Sequence, residues 1–189
     1  GIGTDMNGDG DVLDAIAVRV DVYTNQRTEL NTAVQDMALV NGTLFLVVDE
    51  FGDGKDWNAD GDEDDRVLLY QTPADTSPTF LADTDGTSST VLVGLQNQAF
   101  FTSDVVPSEE DKSNLFKTSV LTSGSLPTAP ISIFFPDTMP APTPDDGISV
   151  QILDEAEDVI FLAMNENLDG DLNGDLDAID SKVLALLDG

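Results

Sequence analysis

The chain has 189 residues, of which 37 are Asp or Glu and 7 are Lys or Arg, giving a formal charge of −30. A field of that sign repels phosphate backbones and excludes nucleic acid as a partner. With no Cys and no His, disulfides, thiolate metal sites and the usual general base are excluded as well.

Hydrophobic residues nevertheless make up 40% of the chain, too many for a disordered acidic tail. The expectation is a single all-β domain or a fragment of a larger repeat protein. Something must offset the negative charge, and bound cations come first, with environmental salt second.

The first element is the acidic stretch DMNGDGDVLD at 5–14, followed by the apolar run AIAVRVDVY. It returns as DWNADGDEDD at 56–65, followed by RVLLY, and as DLNGDLDAID at 171–180, followed by KVLALL. Positions 1, 3, 5, 7 and 10 of the first copy are Asp5, Asn7, Asp9, Asp11 and Asp14. The second copy has Asp56, Asn58, Asp60, Asp62 and Asp65, and the third Asp171, Asn173, Asp175, Asp177 and Asp180. Alternating oxygen side chains on a curled backbone converge on a hard cation, and Ca²⁺ accepts six to eight such oxygens. Mg²⁺ suits the pattern less well, because it demands a near-octahedral shell and keeps its waters. Asp, Asn and Gly are turn formers and would explain one such loop without any metal. Three copies filled alike, none containing Lys or Arg, point to about three calcium ions. Gly10 and Gly61 at position 6 supply the positive φ that the curl requires, whereas Leu176 in the third copy predicts a strained or weaker site.

Each loop after the first joins an incoming strand, 43–50 or 158–165, to an outgoing one, 65–71 or 182–187. After the second loop come the short runs DRVLLYQT, PTFLADT, STVLVGLQN and QAFFTSD. NLFKTSVLTS, APISIFFPD, GISVQILDEA and DVIFLAMNEN follow, rich in β-branched and aromatic residues and punctuated by Pro and Gly. The segment near Ser108 to Ser113 sits where a loop copy is due but lacks the ligand spacing. Asp5, Asp56, Ser108 and Asp171 thus start units 51, 52 and 63 residues apart, at about 5–55, 56–107, 108–170 and 171–189. Such spacings, with four strands each, predict a propeller-like repeat of four-stranded antiparallel units; a β-sandwich is the alternative. The best helical candidate, SEEDKSNLF, amounts to a turn or two. Trp57 inside the second loop either stands exposed for a sugar or protein partner or packs on a neighbouring strand.

The DxNxDGDxxD loops resemble the calcium loops of EF-hands, dockerins, thrombospondin type 3 repeats and integrin-type β-propellers. EF-hands and dockerins place an acid at position 12 and a helix after it, where this chain has Ile16, Val67 and Lys182 followed by strand-forming runs. The loop-then-strand order is similar to calcium-loop β repeats of secreted bacterial proteins, and this resemblance implies a strand–loop–strand setting. The start GIGTD, without Met, is that expected of a processed or partial chain. An extracellular or cell-surface location follows from the calcium loops, and the lack of any apolar run of about 18 residues argues against membrane insertion. The expected function is a structural module, not an enzyme, that assembles with copies of itself or with a larger surface protein. The alternative is an extracellular glycan- or protein-binding module with structural calcium. A calcium-dependent polysaccharide-active enzyme, using a carboxylate pair, ranks below both.

Overall fold

The computed structural model describes residues 4–84, 92–104, 113–133, 150–156, 159–164 and 183–188. Among these the chain is all-β, with antiparallel sheets and one helical turn. The first sheet pairs β1 (Ile16–Val20) with β2 (Arg27–Ala33). The second is a meander of β3 (Asp36–Val40), β4 (Thr43–Asp49), β5 (Arg66–Gln71) and β6 (Thr79–Asp83). The third runs through β7 (Leu92–Leu95), β8 (Gln98–Asp104), β9 (Ser113–Ser119) and β10 (Ile131–Ser132). The fourth holds β11 (Val150–Ala156), β12 (Val159–Met164) and β13 (Val183–Asp188). Helix α1 (Glu50–Asp53) is a single turn after β4. No helix among the described residues is long and apolar enough to cross a membrane.

Successive sheets stack face to face, and one apolar cluster fills each gap. In β4, Phe45 and Val47 join Leu92, Ala99 and Phe101 between the second and third sheets. The alternate residues Leu46 and Val48 point the other way and join Ala17, Val67 and Leu69 against the first sheet. This two-sided burial explains why β4 reads as the unbroken apolar run LFLVV and not as an alternating one. The third sheet repeats the device: Ala99 and Phe101 face the second sheet, while Val93, Leu95, Phe100 and Leu115 meet Ile152, Ile160 and Leu162 of the fourth. Gly94 permits a close approach, since a Cβ there would lie 2.8 Å from Val40 Cγ2 and 3.3 Å from Ala38 Cβ.

The loop hairpins are as the sequence predicts. β4 and β5 pair from Leu44↔Gln71 to Asp49↔Arg66 across the second loop, and β12 and β13 pair from Val159↔Asp188 to Met164↔Val183 across the third. β8 and β9 pair in the same way, ending at Asp104↔Ser113, across the segment that lacks the ligand pattern. In the last three sheets each such hairpin joins the second and third strands, so the sheets run out of phase with units counted from loop starts. The four runs after the second loop therefore split, with β5 and β6 in the second sheet and β7 and β8 in the third. A repeat has no privileged starting point, so sequence spacing alone carries no phase.

One expectation changes, and two strands lie where the sequence suggested none. Ser113 to Phe116 of the helical candidate belong to β9, because Leu115 and Phe116 must reach opposite faces of the third sheet. β2 and β3 carry no clear sequence signal from their own residues. β2 reads RTELNTA and is exposed over its first three residues. β3 leads into β4 through a hairpin whose turn, Asn41 (φ 44°) and Gly42 (φ 83°), has the two positive φ angles of a two-residue connection.

Candidate metal centre

The first and second loops fold alike because position 1 shapes both, each carboxylate oxygen accepting one N–H and keeping a further lone pair. Asp5 Oδ1 accepts from Gly8 N at 2.6 Å and its Oδ2 from Gly10 N at 3.1 Å. Asp56 accepts from Ala59 N and Gly61 N at the same two distances. Short Asx bonds continue the curl: Asp11 N to Asp9 Oδ1 at 2.9 Å and Leu13 N to Asp11 Oδ1 at 2.7 Å, with Asp62 N to Asp60 and Asp64 N to Asp62 as counterparts. Gly10 (φ 105°) and Gly61 (φ 112°) adopt the predicted positive φ.

Position 4 is left-handed too, at Gly8 (φ 88°) and Ala59 (φ 63°), which the sequence reading did not single out. Ala59 therefore holds a conformation that costs an L-residue about 1–2 kcal/mol. Ala59→Gly, ordinarily destabilising in a regular element, is expected here to raise stability by up to about 1 kcal/mol. Denaturant titration in calcium checks the sign.

The curl brings carboxylates from positions 5, 7 and 10 together. One oxygen from each of Asp9, Asp11 and Asp14 lies within 4.8 Å of the others, and the same holds for Asp60, Asp62 and Asp65. Oxygens on opposite sides of a hard divalent cation, at about 2.0–2.6 Å each, stand about 4.0–5.2 Å apart, so one ion can bridge such a cluster. At position 3, Asn7 and Asn58 brace the closing acid, with Asn7 Nδ2 donating to Asp14 Oδ2 at 3.4 Å and Asn58 Nδ2 to Asp65 Oδ2 at 3.1 Å. Of the predicted ligands, positions 5, 7 and 10 therefore converge, position 3 touches the closing acid, and position 1 binds backbone. Asp171, Asn173, Asp175, Asp177 and Asp180 lie outside the described residues.

Crowding acts on the closing acids. Burial, with Asp9 and Asp11 beside it, pushes the Asp14 carboxyl above the ordinary 3.8 against the hydrogen bond from Asn7. Burial does the same to Asp65, where the Asn58 bond opposes it and Asp60 and Asp62 add to the rise. A divalent cation relieves what protonation otherwise must.

Helix α1 walls both loops. Asn7 Nδ2 donates to Gly52 O at 2.9 Å, tying the first loop to it. On the other side Glu50, fully buried, accepts from Trp57 N at 2.6 Å and Asn58 N at 3.1 Å through Oε1. Asp53, 1% exposed, accepts from Ala33 N at 2.7 Å, Trp57 Nε1 at 2.8 Å and Lys55 Nζ at 3.3 Å. Trp57 thus packs against the core between the first and second sheets, with Lys55 Nζ 5.1 Å from its ring centroid, and is not a free aromatic platform. Sequence reasoning missed Glu50 and Asp53; the signal was an Asp–Glu pair ending an apolar run, followed by two glycines that close a turn, Gly54 with φ 63°. Compared with protein-family models, curated proteins and solved structures, the chain matches none of them.

Proposed function

We propose that this chain is a calcium-clamped structural module of a secreted or cell-surface protein, built as a propeller-like β repeat and assembling with copies of itself or with a larger surface protein. One observation carries the reading: two separate loops use the same hydrogen bonds to hold three carboxylates within 4.8 Å of one another. Building that crowding twice is costly unless a cation occupies each loop. Calcium then has a mechanical task, fixing the hairpin that joins the second and third strands of a sheet. The stacked meanders support the propeller-like arrangement, because blades of four strands in chain order pack in this way. Unpaired edge strands supply the means of assembly.

A second reading, an extracellular binding module, draws on Val22 and Tyr23 at the tip between β1 and β2, the latter 97% exposed. It predicts saturable binding of a glycan or protein that Tyr23→Ala abolishes.

Calorimetric titration tests the first reading. The expected result is about three calcium ions per chain, one fewer in Asp9→Ala and one fewer in Asp60→Ala, with Asp111→Ala unchanged. Dissociation constants of about 10⁻⁴–10⁻³ M would match extracellular modules. If calcium gives no saturable heat, or all three variants behave alike, the reading fails.

A further inference from the structure

Two carboxylates of α1 are equally inaccessible, and they differ in one respect. Asp53 has donors on both oxygens, Ala33 N on Oδ1 and Trp57 Nε1 with Lys55 Nζ on Oδ2. Glu50 has donors on Oε1 alone, and Oε2, although buried, receives no hydrogen bond. A buried carboxylate oxygen left without a donor is costly, and such groups are paired or coordinate metals. The nearby cation Lys55 is engaged elsewhere, with Asp53 and the Trp57 ring. What Glu50 does face is the second loop. Its bound oxygen grips the backbone of positions 2 and 3, and the side chain of that same Asn58 donates to Asp65 in the carboxylate triad.

We propose that Glu50 is a further, water-mediated ligand of the second loop's cation, presenting Oε2 to one of the ion's waters from outside the cluster that Asp60, Asp62 and Asp65 form. This rests on the reading of that loop as a calcium site. It explains a departure from the EF-hand pattern. The acid that such loops place at position 12 is absent, Val67 standing there as core, and a carboxylate from six residues before the loop takes up the task. It also assigns α1 a purpose: one turn of helix turns the chain so that Glu50, directly after β4, looks inward beneath the loop. An added carboxylate raises the negative charge around the ion, and with it affinity and preference for a divalent over a monovalent cation.

The test uses Tb³⁺ as a luminescent stand-in for Ca²⁺. Trp57 is the only Trp in the chain and sits at position 2 of this loop; because the first loop also abuts α1, with Asp9 against Gly54, the titrations are run in an Asp9→Ala background so that Trp-sensitised emission reports Tb³⁺ at the second loop. In Glu50→Gln the Oε1 acceptor is kept while Oε2 becomes an amide that can donate. The expected result is affinity at this loop about ten-fold or more weaker, a typical effect of removing a supporting carboxylate. Thermal stability in EGTA should be equal or higher, because the amide no longer adds charge to a crowded loop. Unchanged Tb³⁺ affinity in the variant, with wild-type binding intact, overturns the role of Glu50 and leaves the calcium reading standing. No Trp57-sensitised signal and no calcium competition in the wild type overturns both. Weaker binding accompanied by a loss of stability in EGTA marks Glu50 as merely structural and overturns the proposal. A crystal structure of the wild-type chain grown in calcium needs no variant: Oε2 on one of the ion's waters supports the assignment, and Oε2 remote from them overturns it.

Discussion

Addition of EGTA to the chain in saturating calcium is expected to lower its thermal midpoint by about 10–20 °C. At calcium a hundred-fold above the dissociation constant each site adds about 2.7 kcal/mol, so the first and second loops alone, leaving the third aside, lose about 5 kcal/mol. For a chain of this size each kcal/mol moves the midpoint by about 2–4 °C. Sedimentation velocity on the same samples should show a compact particle or oligomer that expands or dissociates. Sodium chloride at molar concentration should restore little of the loss, since screening cannot replace an ion held by several oxygens. The pH dependence in EGTA has a definite sign. Asp14 and Asp65 have folded pKa values raised above 3.8 and Glu50 above 4.5, chiefly by burial, and burial raises Asp36 as well. The folded state therefore binds these protons more readily than the unfolded state, and stability rises as pH falls from neutrality towards those ordinary values. Asp21, held low by the N–H groups of Thr24 and Tyr23, loses its contribution only below 3.8. In calcium the dependence should flatten or reverse, because protons then compete with the ion. A midpoint and sedimentation coefficient indifferent to EGTA would refute the clamp.

Phe101→Ala is expected to cost about 3–5 kcal/mol, the usual loss for a large aromatic removed from a closed core. Phe101 has no exposed surface, stacks on Phe116 with ring centroids 5.7 Å apart, and fills the gap between the second and third sheets. That gap has little scope to collapse, because the Gly94 backbone already meets the Val40 and Ala38 side chains. The loss should be the same in calcium and in EGTA, since the residue lies in the core and not in the loops. Leu13→Ala, 87% exposed, is the control and should be nearly neutral. A cost below about 1 kcal/mol for Phe101→Ala would mean that the two sheets do not pack as described.

Much of this was legible in the sequence, and what escaped did so for physical reasons. The hairpins were visible because β4 and β5 are apolar on both faces and the loop between them is acidic throughout. β2 escaped because its outer residues, Arg27, Thr28 and Glu29, face solvent and only Thr32 and Ala33 are buried. β3 escaped because its apolar Met37 and Leu39 face solvent and give no buried-face pattern, although Asn41–Gly42 after it is a strong hairpin signal. In the loops, the ligand pattern was readable to the level of residue type. It did not reveal that both oxygens of Asp5 and of Asp56 accept backbone N–H groups, since a carboxylate's part in shaping a turn leaves no mark on its letter. Glu50 was hidden by its surroundings: among so many acids, one more buried beneath a loop carries no mark in the sequence.

The two-sided burial of β4 and β8 bears on how the molecule comes apart. A sheet with apolar groups on both faces has no stable existence without its neighbours, so each layer is held by the next as in a one-dimensional stack. Opening therefore begins at an outer layer and must travel inward, each step uncovering the face of the sheet behind it. Amide protons of β4, β5 and β8 would exchange last, and those of β1 and β2 first. A cation held in the loop of one layer's central hairpin would slow this travel at that layer, and would then be a barrier to propagation as much as a source of equilibrium stability.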